Sequence, residues 1–139
     1  MAYAVVQDLI DRFGEDELIA VTTQRGQPRE TIDVARVGQA IGEASDLIDS
    51  YLRRRYTLPL TNPSANIVRV CCVIARYDLN ATSDVTPTEQ MGNDRKMAIA
   101  WLGDIASGKV TLDGAVPANT STTFSRIQTR RAAYPSGCL

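Results

Sequence analysis

Apolar residues recur along this chain at three- and four-residue steps, the period of helices that each bury one face. Val5, Val6, Leu9, Ile10 and Phe13 open the pattern, and Gly14 closes it. A second short helix is predicted over Glu15–Thr22, with acids in its first turn, where the helix dipole favours them. Thr23–Thr31, with Gly26, Pro28 and charged neighbours, reads as an exposed loop.

The clearest stripe follows Asp33, a suitable N-cap. It runs through Val34, Val37, Ile41, Ala44, Ile48 and Leu52 and ends in Arg53, Arg54 and Arg55. Two prolines in Thr57–Pro63 enforce a non-helical connection. Asn62-Pro63 then reads as cap and first-turn proline of a helix reaching about Asn80. Its Ile67, Val70, Cys71, Val73, Ile74 and Leu79 cover more than one face, which marks it as the most buried helix. Thr86-Pro87-Thr88-Glu89 has the form of a capping box, with Pro87 at the first helical position. Met91, Met97, Ala98, Trp101, Leu102 and Ile105 continue the period up to Gly108, a good stop. Lys109–Asp113 alternates like a short strand.

The predicted architecture is all-α: residues 1–114 form a compact bundle of about four to five helices. The expected core gathers Leu9, Phe13, Ile41, Ile48, Leu52, Ile67, Val70, Ile74, Trp101, Leu102 and Ile105. Residues 115–139 change character to Ala, Ser, Thr, Asn and Pro, too poor in apolar surface to fold alone. They are expected to stay extended or disordered until bound.

Length and composition agree with one ordinary domain, since 139 residues suffice for a core without metal or disulfide staples. No run of about 18 apolar residues is present and the first residues do not resemble a secretory signal. The expectation is therefore action in the cytoplasm where the chain is made, or in particles assembled there.

Net charge is −1, which gives no general affinity for nucleic acid or membranes, but the charge is unevenly spread. Met1–Ala20 holds five acids against Arg12 alone, whereas Ala115–Leu139 holds Arg126, Arg130 and Arg131 and no acid. Such asymmetry suits a subunit with different partners at its two ends.

Candidate chemistry is sparse. Histidine is absent, which removes the commonest general base and metal ligand. Cys71, Cys72 and Cys138 offer no C-x-x-C spacing, and buried, reduced thiols are the expectation for the first two. No phosphate-binding glycine loop or nucleophile elbow is present. Glu15, Asp16 and Glu17 read as helix-start charges, and Asp46 and Asp49 as a solvated face within reach of Arg53. Core packing is expected of Trp101 and Tyr77. No catalytic residue, cofactor or metal ligand is expected.

Arg53-Arg54-Arg55 reads first as a helix C-terminal cap. Arg55, seven residues after Ile48, is expected to be partly buried and salt-bridged, a structural or subunit-interface arginine. Arg53 and Arg54 point elsewhere, toward another subunit or DNA. The interleaved Tyr51 and Tyr56 give the patch a nucleic-acid flavour, which the net charge opposes.

Four stretches together resemble a known family. They are QDLIDRFGEDEL over Gln7–Leu18, IDSYLRRRYTLPL over Ile48–Leu60, CVIARY over Cys72–Tyr77, and AWLGDIASG over Ala100–Gly108. They resemble the small neck proteins of Mu-like phages and prophages, which are similar to the head–tail connector (adaptor) proteins of other tailed phages. The resemblance spans about residues 3–112. Gly42 departs from it, and the tail after Asp113 lies outside it.

The resemblance implies a non-enzymatic virion protein at the head–tail junction, forming a homo-oligomeric ring, commonly of twelve copies. The portal protein lies on one side of such a ring and the next neck or tail-completion protein on the other. The ring extends the DNA channel, non-specific contact with that DNA is possible, and no membrane is involved. By composition and by analogy with connector proteins, the tail residues Phe124, Arg126, Ile127, Arg130, Arg131 and Tyr134 are the expected contacts with the portal or an adjacent subunit. The alternative is a small helical DNA-binding or DNA-packaging accessory protein.

Overall fold

In the computed structural model, which describes residues 2–118, five helices account for the body. They are α1 (Val6–Phe13), α2 (Glu15–Thr22), α3 (Val34–Leu52), α4 (Ala65–Thr82) and α5 (Glu89–Ser107). The all-α prediction holds. The described residues contain no strand, only one isolated bridge between Tyr56 and Pro117.

Each boundary has a local cause. Asp33 caps α3, its carboxylate accepting from the backbone N–H of Ala35 (3.1 Å) and Arg36 (3.2 Å). Asp8 reaches back to the N–H of Val5 at 2.8 Å and opens α1. Gly108 ends α5 in the left-handed conformation, φ 89°.

Two starts differ from the sequence reading, each displaced by two residues. Ser64, not Asn62, caps α4 by accepting from Ile67 N–H at 3.4 Å, so Pro63 lies outside the helix. Thr88, not Thr86, caps α5 by accepting from Met91 N–H at 3.2 Å, which leaves Pro87 ahead of the cap. A nearer hydroxyl outcompetes the proline-based signal in both cases. Lys109–Asp113 is a turn, because the N–H groups of Lys109 (2.9 Å) and Val110 (3.4 Å) fold back onto the Asp104 carbonyl.

The three long helices α3, α4 and α5 pack pairwise into a triangular body, with α1 and α2 laid against α4 and α1 also touching α3. Leu9, Ile41, Ile48, Leu52, Ile67, Val70, Ile74, Leu102 and Ile105 are buried as expected, joined by Leu18, Val21, Tyr3 and Leu60. Phe13 and Trp101 are only partly buried and border the core rather than fill it. Val34, the first residue of the α3 stripe, is 61% exposed.

Polar groups fasten the small helices. Arg76 of α4 grips both carboxylate oxygens of Glu17 at 2.6 and 2.9 Å, and its guanidinium lies 4.3 Å from the Phe13 ring centroid. Tyr3 pins the N-terminal segment. Its N–H donates to Ser45 Oγ at 3.0 Å, its hydroxyl donates to Asp49, and the same hydroxyl accepts from Leu60 N–H at 3.4 Å.

Candidate interaction surfaces

The arginine turn follows from where α3 stops. The helix ends at Leu52, whose carbonyl accepts from the N–H of both Arg55 and Tyr56 at 3.0 Å, so residues 53–55 form a tight turn. All three arginines are exposed, and none makes an ion pair among the described residues. This corrects the expectation for Arg55. Its position relative to Ile48 was counted along a helix that has already ended. Its guanidinium instead lies against Gly108 at the C-terminus of α5, where a methyl group would collide with Nη1. A cation there also meets the negative end of the α5 dipole.

Immediately after this turn, Tyr56 becomes the post around which the chain's later part is wound. It is 7% exposed, and its hydroxyl accepts from Leu112 N–H at 3.0 Å. Thr57 N–H donates to the Val116 carbonyl at 2.8 Å, and Ala118 N–H donates to the Arg55 carbonyl at 2.9 Å. Residues 115–118 are thus held extended beside the arginine turn. The tail contacts named from sequence, Phe124, Arg126, Ile127, Arg130, Arg131 and Tyr134, lie outside the described residues. The last described residue before them, Ala118, is held against Arg55.

A second surface was missed by the sequence reading. Between α4 and α5 a groove of about 320 Å³ is lined by Arg69, Val70, Val73, Asp94, Met97, Ala98 and Trp101. Met97 is 72% exposed, the most of any large apolar side chain described. The signal existed, since Met97 and Trp101 stand four apart on α5, but the sequence reading took Met97 only as part of the helical period and assigned Trp101 to the core. A stripe wider than its partner helices can cover leaves its margin open.

The titratable groups are those of a packed body. Burial first, and then the hydrogen bond to Asp49, pushes the Tyr3 phenol up to about 12. Burial likewise raises the thiols of Cys71 and Cys72, that of Cys72 to about 12, and these two are free. Asp78 is raised by burial against the opposing pull of Arg95, 3.8 Å away. Among the described residues no three potential metal ligands converge. None of the helices described is long and apolar enough to cross a membrane.

Fold and surfaces together define a small all-α protein with two distinctive exposed features: an arginine turn and an apolar groove. The chain belongs to the Bacteriophage Mu Gp36 family, whose profile matches residues 3–129. Gene product J of Escherichia phage Mu is 35% identical over 140 residues, covering 99% of this chain and 85% of that protein. The Mu-like prophage FluMu protein gp36 of Haemophilus influenzae is 41% identical over 83 residues, 60% of this chain and 57% of the relative. The match to residue 129 corrects the narrower resemblance read from sequence, which stopped near residue 112. Phe124, Arg126 and Ile127 fall inside the family pattern.

Proposed function

We propose that the protein is a structural, non-enzymatic component of the phage neck. In this reading copies join side by side into a ring between the portal and the tail components, extending the DNA channel. The observation that carries it is the extent of the family match: it includes the tail's first anchors as well as the helical body. The geometry supports it, because residues 115–118 are fixed to Arg55–Thr57, so each copy launches its tail from a defined point. A ring of such copies would gather all the tails and arginine turns at one level. The portal or an adjacent subunit is the proposed partner of Phe124, Arg126, Ile127, Arg130, Arg131 and Tyr134. Location in the virion at the head–tail junction follows from the same reading, after assembly in the host cytoplasm.

Cryo-electron microscopy of particles carrying this protein tests the reading. The expected result is several symmetry-related copies at the head–tail junction. A single copy there, or absence from the particle, would overturn it.

One observation favours a second reading, a DNA-binding or packaging accessory: Arg53, Arg54 and Arg55 are all exposed and unpaired among the described residues. Net charge −1 and a pI near 5.4 oppose it. Binding of the isolated protein to duplex DNA, with an affinity that falls steeply with salt, would favour it.

A further inference from the structure

The α4–α5 groove is an apolar surface without an occupant among the described residues, and the chain itself carries a candidate. Beyond Ala118 lie 21 residues (119–139) with three large apolar or aromatic anchors, Phe124, Ile127 and Tyr134. We propose that the groove lined by Val70, Val73, Met97 and Trp101 receives the tail of a second copy of this chain. This rests on the reading of side-by-side copies and names the surface that one copy offers its neighbour.

Three observations point this way. The groove is made for apolar side chains: Met97 stands 72% exposed beside Trp101, with Val70 and Val73 opposite, while Asp94 on the rim offers a carboxylate to an arginine. The tail supplies both kinds of group, Phe124 and Ile127 beside Arg126, and no acid to repel Asp94.

The relative position of the two surfaces is the second observation. Ala118 is fixed to Arg55 at the end of α3, while the groove opens between α4 and α5, whose other side is covered by α3. The residues that hold the root of the tail and the residues that line the groove are thus separate sets on one copy. That is the arrangement of a heterologous contact, in which each subunit gives one patch and receives on another.

Reach is the third. Phe124 and Ile127 follow Ala118 by six and nine residues, which extended chain converts to roughly 20 and 30 Å. A body of this size is about 30 Å across, so the anchors arrive at an adjoining copy.

Trp101 is the chain's single tryptophan and lines the groove, so it reports occupancy directly. Acrylamide quenching of Trp101 is measured against protein concentration, with sedimentation velocity in parallel. The full chain is compared with a chain ending at Ala118, with Phe124→Ala/Ile127→Ala, and with Met97→Glu, whose exposed position lets it fold. The expected result is a quenching constant that falls by about half as the full chain associates, with no such fall in the three variants.

Shielding that does not change with concentration would place the tail in its own groove and overturn the second copy as occupant. Equal shielding in the shortened chain would mean that something other than the tail covers Trp101, and would overturn the proposal. Association of the full chain without shielding would overturn the groove while leaving the ring reading intact. A full chain that stays monomeric with Trp101 open overturns the contact too. The position of the protein in particles, measured separately, then decides the wider reading.

Discussion

Among single residues, Trp101 shows most clearly what periodicity conveys and what it omits. Its spacing from Ala98, Leu102 and Ile105 placed it on the apolar side of α5, and it is there. Whether that side is covered depends on how far α4 and α3 reach around it, which no local pattern encodes. Leu102, one residue on, is fully buried, and Trp101 lies at the margin. Leu102→Ala is therefore expected to cost about 2–5 kcal/mol, as for a buried aliphatic, and Trp101→Ala only about 1–2 kcal/mol. Urea unfolding followed by circular dichroism measures both. A tryptophan variant as damaging as the leucine variant would put Trp101 in the core.

Tyr3 was invisible in the sequence because its partners, Ser45, Asp49 and Leu60, are remote in the chain. Its phenol has a folded pKa of about 12 against 10.0 for the free group, and the Cys72 thiol rises from 9.0 to about 12. Each holds its proton longer in the folded chain than in the unfolded one. Their contribution is complete below pH 9 and is lost as pH climbs from about 9 toward 12. Melting temperature should fall across that interval, and Tyr3→Phe should flatten the upper part of the fall. An unchanged profile in the variant would mean that the buried phenol is not titrating as its surroundings require.

Helices were legible as elements, while their ends were legible only where one signal stood alone. Asp33 and Gly108 had no competitor and mark α3 and α5 correctly. Asn62-Pro63 and Thr86-Pro87 were each followed by a better-placed hydroxyl, Ser64 and Thr88, which the folded chain uses. The strand expected over Lys109–Asp113 failed because alternation of Val110 and Leu112 also suits a turn folded over Asp104 and Tyr56. The close approach of Arg55 to Gly108 joins the ends of α3 and α5 and makes a test at this scale. Gly108→Ala must hold φ 89° with a side chain and also displace the Arg55 guanidinium. A loss of about 1–2 kcal/mol is expected, and a smaller one in an Arg55→Ala background, where only the backbone strain remains. Equal losses in both backgrounds, by denaturant unfolding, would show that Arg55 does not pack there.

Taken whole, the molecule is a helical body that holds residues 115–118 against its arginine turn, and this fixes how the residues beyond can be tested. Family and fold class were readable from four short stretches and a helical period. The docking of residues 115–118 was not, because a Pro- and Ala-rich segment pairs through its backbone, which composition does not reveal. Cutting the chain after Gly114 therefore removes more than a tail: it strips Thr57 of its bond to Val116 and Arg55 of its bond from Ala118. That truncation should lose about 1–2 kcal/mol of stability through these hydrogen bonds, confounding any change in binding. A chain ending at Ala118 keeps both bonds and should melt within about 0.5 kcal/mol of the full protein. Both shortened chains are then assembled with portal-bearing heads, and retention is measured by sedimentation. If the tail is what anchors the subunit, the Ala118 truncation folds normally yet dissociates from heads, and adding back residues 119–131, which include Phe124, Ile127 and all three tail arginines, restores retention. Heads that retain the Ala118 truncation as tightly as the full chain would assign the grip to the helical body and its arginine turn instead.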